Sequence, residues 1–403
     1  MAQPPTDLLT SDLTARVSHL QRALLDWYDH SRRDLPWRGE TDSYRVWVSE
    51  IMLQQTQVTT VVPYYRAFLG HFPTLADLAA APLDRVLKVW EGLGYYARAR
   101  NLHAAARRIV AEHGGRIPVS YAGLRRLPGL GDYAAGAIAS IAFGEQVPAV
   151  DGNVKRVLTR LFAVAEDVGL STTLRRLRAI AADLVPAERP GDFNQALMEL
   201  GALICTTQSP QCLLCPLREN CQGLALGMHT SLPVRRTRAA LPHVDVTAGV
   251  IRRDDGYLLI AQRKPTAMLG GLWEFPGGKC RAEEAPEECL RREVHEELDV
   301  EIEVGRQMMT IRHSYTHFRI SLHVFECRFV GGQPQALDCD DWRWVRPHEL
   351  SDYAFPVTDQ KIMRLLKNEE PRMQIEEGDL PSAFTDTHAR PASGAPSARG
   401  RTG

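Results

Sequence analysis

The 403-residue chain contains no apolar run near the roughly 18 residues that a membrane helix requires, and its first residues, MAQPPTDLLTSDL, are polar and acidic. Neither a transmembrane anchor nor a secretory signal is therefore expected. Net charge is also lacking: 48 basic and 49 acidic side chains leave −1, so no bulk field announces a polyanionic partner. Residues 1–230 carry 24 basic and 22 acidic groups (+2), which leaves 24 and 27 (−3) for the remainder. Any basic surface must be local. Lysine is scarce, six of the 48 cations. The arginine excess fits phosphate contacts, but genome base composition accounts for it equally well. Eight cysteines are too few for a disulfide framework, and their distribution is lopsided. Four lie within 205–221, and Cys280, Cys289, Cys327 and Cys339 are scattered. Without an export signal, the cluster reads as a metal site and the others as buried thiols.

Apolar residues at helical spacing begin with Leu13, Val17, Leu20, Leu24 and Trp27, and similar stripes run through 44–69, 84–113, 132–143, 152–163 and 193–204. Short turns bearing Gly or Pro separate them, so this part is expected to be all-α. Beyond the cysteine cluster the pattern changes. VTAGVIRR, GYLLIAQR, VEIEVGRQMMTI and FRISLHVFECRFV alternate and are rich in β-branched residues, which predicts strands. An amphipathic helix over about 285–298 interrupts them, and another is expected after Pro347. The expected organisation is a flexible N-terminus (1–12), a helical domain (13–204), a cysteine loop (205–221), a linker (222–243), an α/β domain (244–367) and a disordered tail (368–403).

Four local patterns suggest chemistry. Cys205-x6-Cys212-x2-Cys215-x5-Cys221 suits a tetrahedral zinc or an iron–sulfur cubane, with a spacing unlike the paired C-x2-C units of zinc ribbons. In Leu127-Pro128-Gly129-Leu130-Gly131, two glycines in a tight turn let backbone N–H groups point outward at a helix start. That is a phosphate cradle, or simply a turn. About twenty residues on, Asp151 stands at a helix entrance in Val150-Asp151-Gly152-Asn153-Val154, as an N-cap or a working carboxylate. Glu50 sits among Val46, Val48, Ile51 and Leu53, a setting that raises a carboxyl pKa.

Together these segments resemble the helix-hairpin-helix base-excision glycosylases. Leu35-Pro36-Trp37-Arg38, the run WVSEIMLQQTQV (47–58), Gly92-Leu93-Gly94-Tyr95-Tyr96 and Asn194-Gln195-Ala196-Leu197-Met198-Glu199 are similar to the adenine DNA glycosylase (MutY) branch, and the resemblance is continuous over 13–230. It implies a [4Fe-4S] cluster on Cys205, Cys212, Cys215 and Cys221. It implies a monomeric, cytoplasmic, nucleoid-associated enzyme that acts on duplex DNA and excises adenine opposite 8-oxoguanine or guanine. Hydrolysing that N-glycosidic bond needs an acid for the leaving base and an anion for the oxocarbenium-like sugar, and two carboxylates in separate environments supply both. By resemblance, Glu50 protonates the base and later helps activate water. Asp151 stabilises the sugar cation, helped by Asn153 and Tyr133. Trp37, Arg38 and Glu199 line the adenine pocket, Gln55 and Tyr95 enter the DNA helix, and Gly129 and Gly131 belong to the phosphate-binding hairpin. Trp47 and Tyr96 are expected in the core. Strand-nicking relatives carry a lysine directly after the hairpin. Gly131-Asp132-Tyr133 offers no amine, so a monofunctional enzyme that leaves an abasic site is expected. The nearest alternative is a thymine- or uracil-mismatch glycosylase, which shares the hairpin, the tyrosine and the cysteine loop.

The α/β part carries Gly278-x5-Glu284-x7-Arg292-Glu293-Val294-x-Glu296-Glu297-x-Asp299-Val300, the Nudix signature with Asp299 in place of its final Gly. Glu293, Glu296 and Glu297 on one helix could hold Mg²⁺. Leu272 to Lys279 (LWEFPGGK) resembles the 8-oxo-dGTP pyrophosphatases. In adenine glycosylases this domain has ordinarily lost its carboxylates and reads 8-oxoguanine through a Phe-Ser-His loop, which Tyr315, Thr316 and His317 match in order and kind. Recognition alone, recognition with an active pyrophosphatase, and a structural metal site all stay open. A rival of another class is a pyrophosphatase tethered to DNA by its helical part.

Overall fold

The computed structural model describes residues 11–235 and 241–369. Most of the expected flexible N-terminus and the expected tail from residue 370 onward lie outside the described residues. The first part is all-α: α1 (Ser11–Ser31), α2 (Ser43–Leu53), α3 (Val58–His71), α4 (Leu75–Ala80), α5 (Leu83–Trp90), α6 (Ala97–His113), α7 (Tyr121–Leu124), α8 (Asp132–Phe143), α9 (Gly152–Leu161), α10 (Ser171–Leu184), α11 (Pro190–Leu203) and α12 (Gln222–Ala225). Two stripes expected to run unbroken are each split. The 44–69 stripe breaks after α2 and the 84–113 stripe after α5, because Gln55 (φ +59°) and Tyr95 (φ +50°) adopt left-handed backbone that no helix continues through. Apolar periodicity survives the breaks, since both halves of each stripe pack on the same core around Trp47, Phe68, Trp90 and Leu102.

Two helix starts and one close approach position the site. Asp42 caps α2 by accepting the N–H groups of Tyr44 and Arg45 at 2.8 and 3.1 Å. Asp151 caps α9 by accepting the Val154 N–H at 2.7 Å. Helix α8 is almost all Ala, Gly and Ile on its buried side and lies directly on the chain that leads to Asp151. A Cβ on Gly136 would stand 2.2 Å from the Pro148 carbonyl oxygen.

The second part is a six-stranded mixed sheet: β1 (His243–Arg252), β2 (Leu258–Gln262), β3 (Trp273–Glu274), β4 (Val300–Ser314), β5 (Arg319–Gly332) and β6 (Asp341–Val345). Its order is β3-β2-β1-β5-β4, with β6 also on β2. Strands β1 and β5 pair in parallel over ten residues, and β4 and β5 form a long antiparallel hairpin. Helix α13 (Pro286–Leu298) covers one face, burying Leu290, Val294 and Leu298, and α14 (Val357–Glu369) packs Ile362 and Leu366 on the other. The helix expected after Pro347 is α14, preceded by a short 3₁₀ segment (Pro347–Asp352). Asp299 closes α13 at φ +55°, the left-handed conformation for which the signature normally uses Gly.

The expected linker begins later than residue 222. Leu232 is buried, its carbonyl accepts the Arg160 Nε at 2.9 Å, and the Val168 N–H donates to the Val234 carbonyl at 3.1 Å. The chain to residue 235 therefore packs on the helices, and 236–240 lie outside the described residues. The two parts touch beside α5 and α6. Tyr96 donates to the Phe355 carbonyl (3.3 Å), the Phe355 N–H donates to Glu91 (2.8 Å) and Lys88 donates to the Tyr353 carbonyl (2.9 Å). Among the described residues no helix is long and apolar enough to cross a membrane.

Helix propensity would favour Gly136→Ala, but the overlap with Pro148 should decide. Thermal denaturation is expected to find the variant destabilised by about 1–3 kcal/mol, the usual cost of overpacking a core.

Candidate active site

Glu50 lies near the C-terminal end of α2, 5% exposed, and its Oε2 accepts a 2.6 Å hydrogen bond from the Tyr133 hydroxyl in the first turn of α8. Burial raises the Glu50 pKa, and the bond from Tyr133 only partly opposes this. Burial and the neighbouring carboxyls push Tyr133 well above the ordinary phenol range, so it remains a donor. Asp151 uses Oδ1 for its helix cap and Oδ2 to accept the Asn153 Nδ2 at 2.9 Å. Burial raises its pKa too, against the donors from Val154 and Asn153. Asn153 is itself held, through Oδ1, by Arg156 Nη2 at 2.8 Å.

One cavity joins these groups to the expected base pocket. It is lined by Glu50, Tyr133, Asp151 and Asn153, by Trp37, Arg38 and Glu199, and by Arg33, Thr56 and Met198 among others. Glu199 is 1% exposed and ion-paired twice, to Arg33 Nε (2.7 Å) and Arg38 Nη2 (2.6 Å). Burial works against its charge, but the two arginines outweigh it and hold the carboxyl below the ordinary range. The sequence reading missed Arg33. A buried carboxylate demands cationic partners, yet nothing in SRRDLPWR distinguishes Arg33 from its neighbour Arg32. Gln195, which accepts from Arg38 Nη1 at 2.5 Å, was missed as well.

The remaining expected residues lie outside this cavity. Gln55 and Tyr95 occupy the two loops that split the stripes, and Tyr95 is 47% exposed. Gly129 has φ +75°, and a Cβ there would come within 2.5 Å of the Asn101 side chain. Gly131 is extended and open, the N-cap of α8. Trp47 and Tyr96 are buried, as expected. At the tip of the β4–β5 hairpin Thr316 and His317 are exposed, while the Tyr315 ring turns back against His313 and Phe318 at centroid distances of 4.6 and 5.1 Å.

The four clustered cysteines are free thiols that line one cavity beside Arg160. Arg160 Nη1 donates to Cys205 Sγ at 3.3 Å, and backbone N–H groups point at Cys215 and Cys221. In the sheet domain Arg292 binds Glu284 (2.7 Å), Glu293 (2.7 Å) and Glu296 (3.0 Å), and Arg281 takes the other Glu296 oxygen at 3.0 Å. Glu297 faces inward with one oxygen unpartnered, beside Glu274, and burial raises both carboxyls. Glu293, Glu296 and Glu297 therefore do not converge: among the described residues no three His, Cys, Asp or Glu side chains close on one ion.

The raised Glu50 pKa has a sign. The folded state holds that proton more tightly than the unfolded chain, so the contribution of Glu50 to stability is greatest below about pH 4, the ordinary Glu range, and is lost as pH rises through the folded value. Glu50→Gln is expected to melt higher than the parent at pH 8, with the difference closing towards pH 4. Melting curves of both proteins across that range check it.

Residues 48–182 match the family described as HhH-GPD superfamily base excision DNA repair protein, and 247–365 match the NUDIX domain family. The chain is 35% identical to the adenine DNA glycosylase of Homo sapiens over 415 aligned positions, covering 89% of this chain and 76% of that protein. It is 42% identical to the adenine DNA glycosylase of Buchnera aphidicola subsp. Baizongia pistaciae, covering 63% of this chain and 72% of that one. Among solved structures, a thermostable thymine-DNA glycosylase aligns with 53% of this chain and 99% of its own, at 29% identity and a TM-score of 0.49. Helical core, appended Nudix sheet and identity along most of the chain agree: this protein belongs to the adenine DNA glycosylase family.

Proposed function

We propose that this enzyme removes adenine mispaired with 8-oxoguanine or guanine in duplex DNA, hydrolysing the N-glycosidic bond and leaving an abasic site. The observation that carries the reading is a buried carboxyl, Glu50, hydrogen-bonded by Tyr133 in the same cavity as Asp151 and the Arg33–Glu199–Arg38 network. An adenine turned out of the stack would meet Trp37, Arg38 and Glu199, whose fixed donors and acceptors suit a polar heterocycle. Tyr133 occupies one oxygen of Glu50 and leaves the other to carry the proton. Passed to the adenine ring, that proton makes the base a neutral leaving group as the bond to the sugar breaks. Asp151, the carboxyl surrounded by N–H donors, faces the sugar cation that forms. Glu50, now ionised, takes a proton from the attacking water. No lysine follows the hairpin, so no imine forms and the strand is not cut.

Gln55 and Tyr95 would fill the space the adenine leaves, and the hairpin N–H groups around Gly129 and Gly131 would bind phosphate. Thr316 and His317, with Tyr315 behind them, would read the opposite 8-oxoguanine. We assign the Nudix domain the role of a reader, since Arg292 pairs with two of the three carboxylates, Glu293 and Glu296, that would hold Mg²⁺. Cys205, Cys212, Cys215 and Cys221 would hold a [4Fe-4S] cluster. All four line one cavity, and their spacing is unlike the paired C-x2-C units of zinc ribbons. The bound cluster would supply four thiolate bonds that close the 205–221 loop on itself, beside Arg160 near the end of α9.

Two outcomes are expected. On an 8-oxoguanine:adenine duplex the protein releases adenine, and strands break only after alkali. Glu50→Gln and Asp151→Asn each lose at least about 10²-fold of the single-turnover rate while binding by gel shift persists, and 8-oxo-dGTP with Mg²⁺ stays intact. Retained excision by Glu50→Gln would remove the acid assignment. Separately, Cys212→Ser should abolish the visible absorbance of anaerobically reconstituted protein, which a colourless parent protein would contradict.

A further inference from the structure

The two left-handed residues that split the helical stripes, Gln55 and Tyr95, are joined by one buried side chain. Arg98, in the first turn of α6, is 9% exposed and donates six hydrogen bonds. On one side its Nη1 reaches the carbonyls of Ile51 (3.0 Å), Met52 (2.7 Å) and Gln54 (2.5 Å), and its Nη2 reaches Thr56 Oγ1 (3.1 Å). On the other side Nη2 reaches the carbonyls of Leu93 (3.2 Å) and Gly94 (3.1 Å). The guanidinium also lies over the rings of Trp90 and Tyr95, at 5.3 and 5.5 Å.

Those acceptors include the last carbonyls of α2, from Ile51 and Met52, and the loop carbonyls of Gln54, Leu93 and Gly94 beside the two left-handed residues. Where α2 stops, its last carbonyls have no intrahelical partner and form the negative end of the helix, and a cation there is favoured. Leaving them bare in the interior would cost about 1–3 kcal/mol each. Among the described residues no carboxylate pairs with Arg98, so carbonyls, the Thr56 hydroxyl and the two aromatic rings solvate its charge. Only a planar fork with donors on both arms can reach both loops at once. A lysine ammonium has three donors at one point.

We propose that Arg98 is a positioning residue that sets Gln55 and Tyr95 as a single two-residue wedge, so that the loop from the helix bearing Glu50 and the loop before α6 enter DNA together. This rests on the reading that both residues enter the duplex. Because Gln54 and Ile51 flank Gln55 and Glu50, the same guanidinium fixes the wedge relative to the acid.

The test uses the full-length, cluster-loaded protein carrying Asp151→Asn, so that binding is read without cleavage. The duplex carries 2-aminopurine in place of the target adenine, and its fluorescence rises when the base leaves the stack. Arg98→Lys and Tyr95→Ala are each expected to remove most of the fluorescence gain at saturating protein, and the double variant to lose no more than either one, the non-additivity of residues acting as a unit. With Asp151 restored, Arg98→Lys should lower the single-turnover excision rate about 10- to 100-fold. An undiminished gain in Arg98→Lys, or losses that multiply in the double variant, overturns the proposal. If Tyr95→Ala alone leaves the gain intact, the wedge reading fails and the proposal falls with it, an outcome distinct from failure at Arg98 only. Should Arg98→Lys not fold, Thr56→Val removes one acceptor on the Gln55 side. A partial loss of gain is then expected, and an unchanged gain again overturns the proposal.

Discussion

The site depends on one hydrogen bond, from the Tyr133 hydroxyl to the buried Glu50 Oε2. A carboxyl buried in a helix would be a liability to folding at neutral pH unless it stayed protonated or gained a partner. Tyr133 is a partner that cannot neutralise it, because its own proton is held more tightly still. Its bond opposes, without cancelling, the upward push of burial on the Glu50 pKa, and it fixes the orientation of the carboxyl. Glu199 in the same cavity contrasts with it: paired with two arginines, its carboxyl is held below the ordinary range.

The packing that brings these groups together is tight. Gly136 lets α8 lie on Pro148, and Gly201 in α11 lets that helix lie on Asn153, where a Cβ would stand 2.6 Å from the Asn153 Cβ. Glycines placed inside helices, at some cost in propensity, thus set the distance between Tyr133, Asp151 and Asn153. The sheet domain docks beside the same loops through Tyr96, Glu91 and Phe355.

Much of this is legible in the sequence. The cysteine spacing, the apolar frame around Glu50, the Asp151 helix entrance and the alternation of the strands all carry local signals, and Asp299 adopts the left-handed cap that its signature position demands. What the sequence hides is non-local or against the local trend. The breaks at Gln55 and Tyr95 are invisible to periodicity because both flanks keep the same buried face. Arg33, Gln195 and Arg98 look like ordinary polar residues until Glu199 and the freed carbonyls supply their partners. The parallel pairing of β1 with β5 has no turn to announce it. Residues 222–235 read as linker, yet Arg160 draws Leu232 onto the helical core.

The most direct measurement is isotope-edited infrared spectroscopy of the protein labelled at its glutamate carboxyls, titrated against pH and compared with Glu50→Gln. The account expects a protonated carboxyl band that persists above the ordinary glutamate range, about pH 4.3, and is missing from the variant. A Glu50 band that disappears at or below that range would mean that the group is ionised at working pH and cannot be the acid.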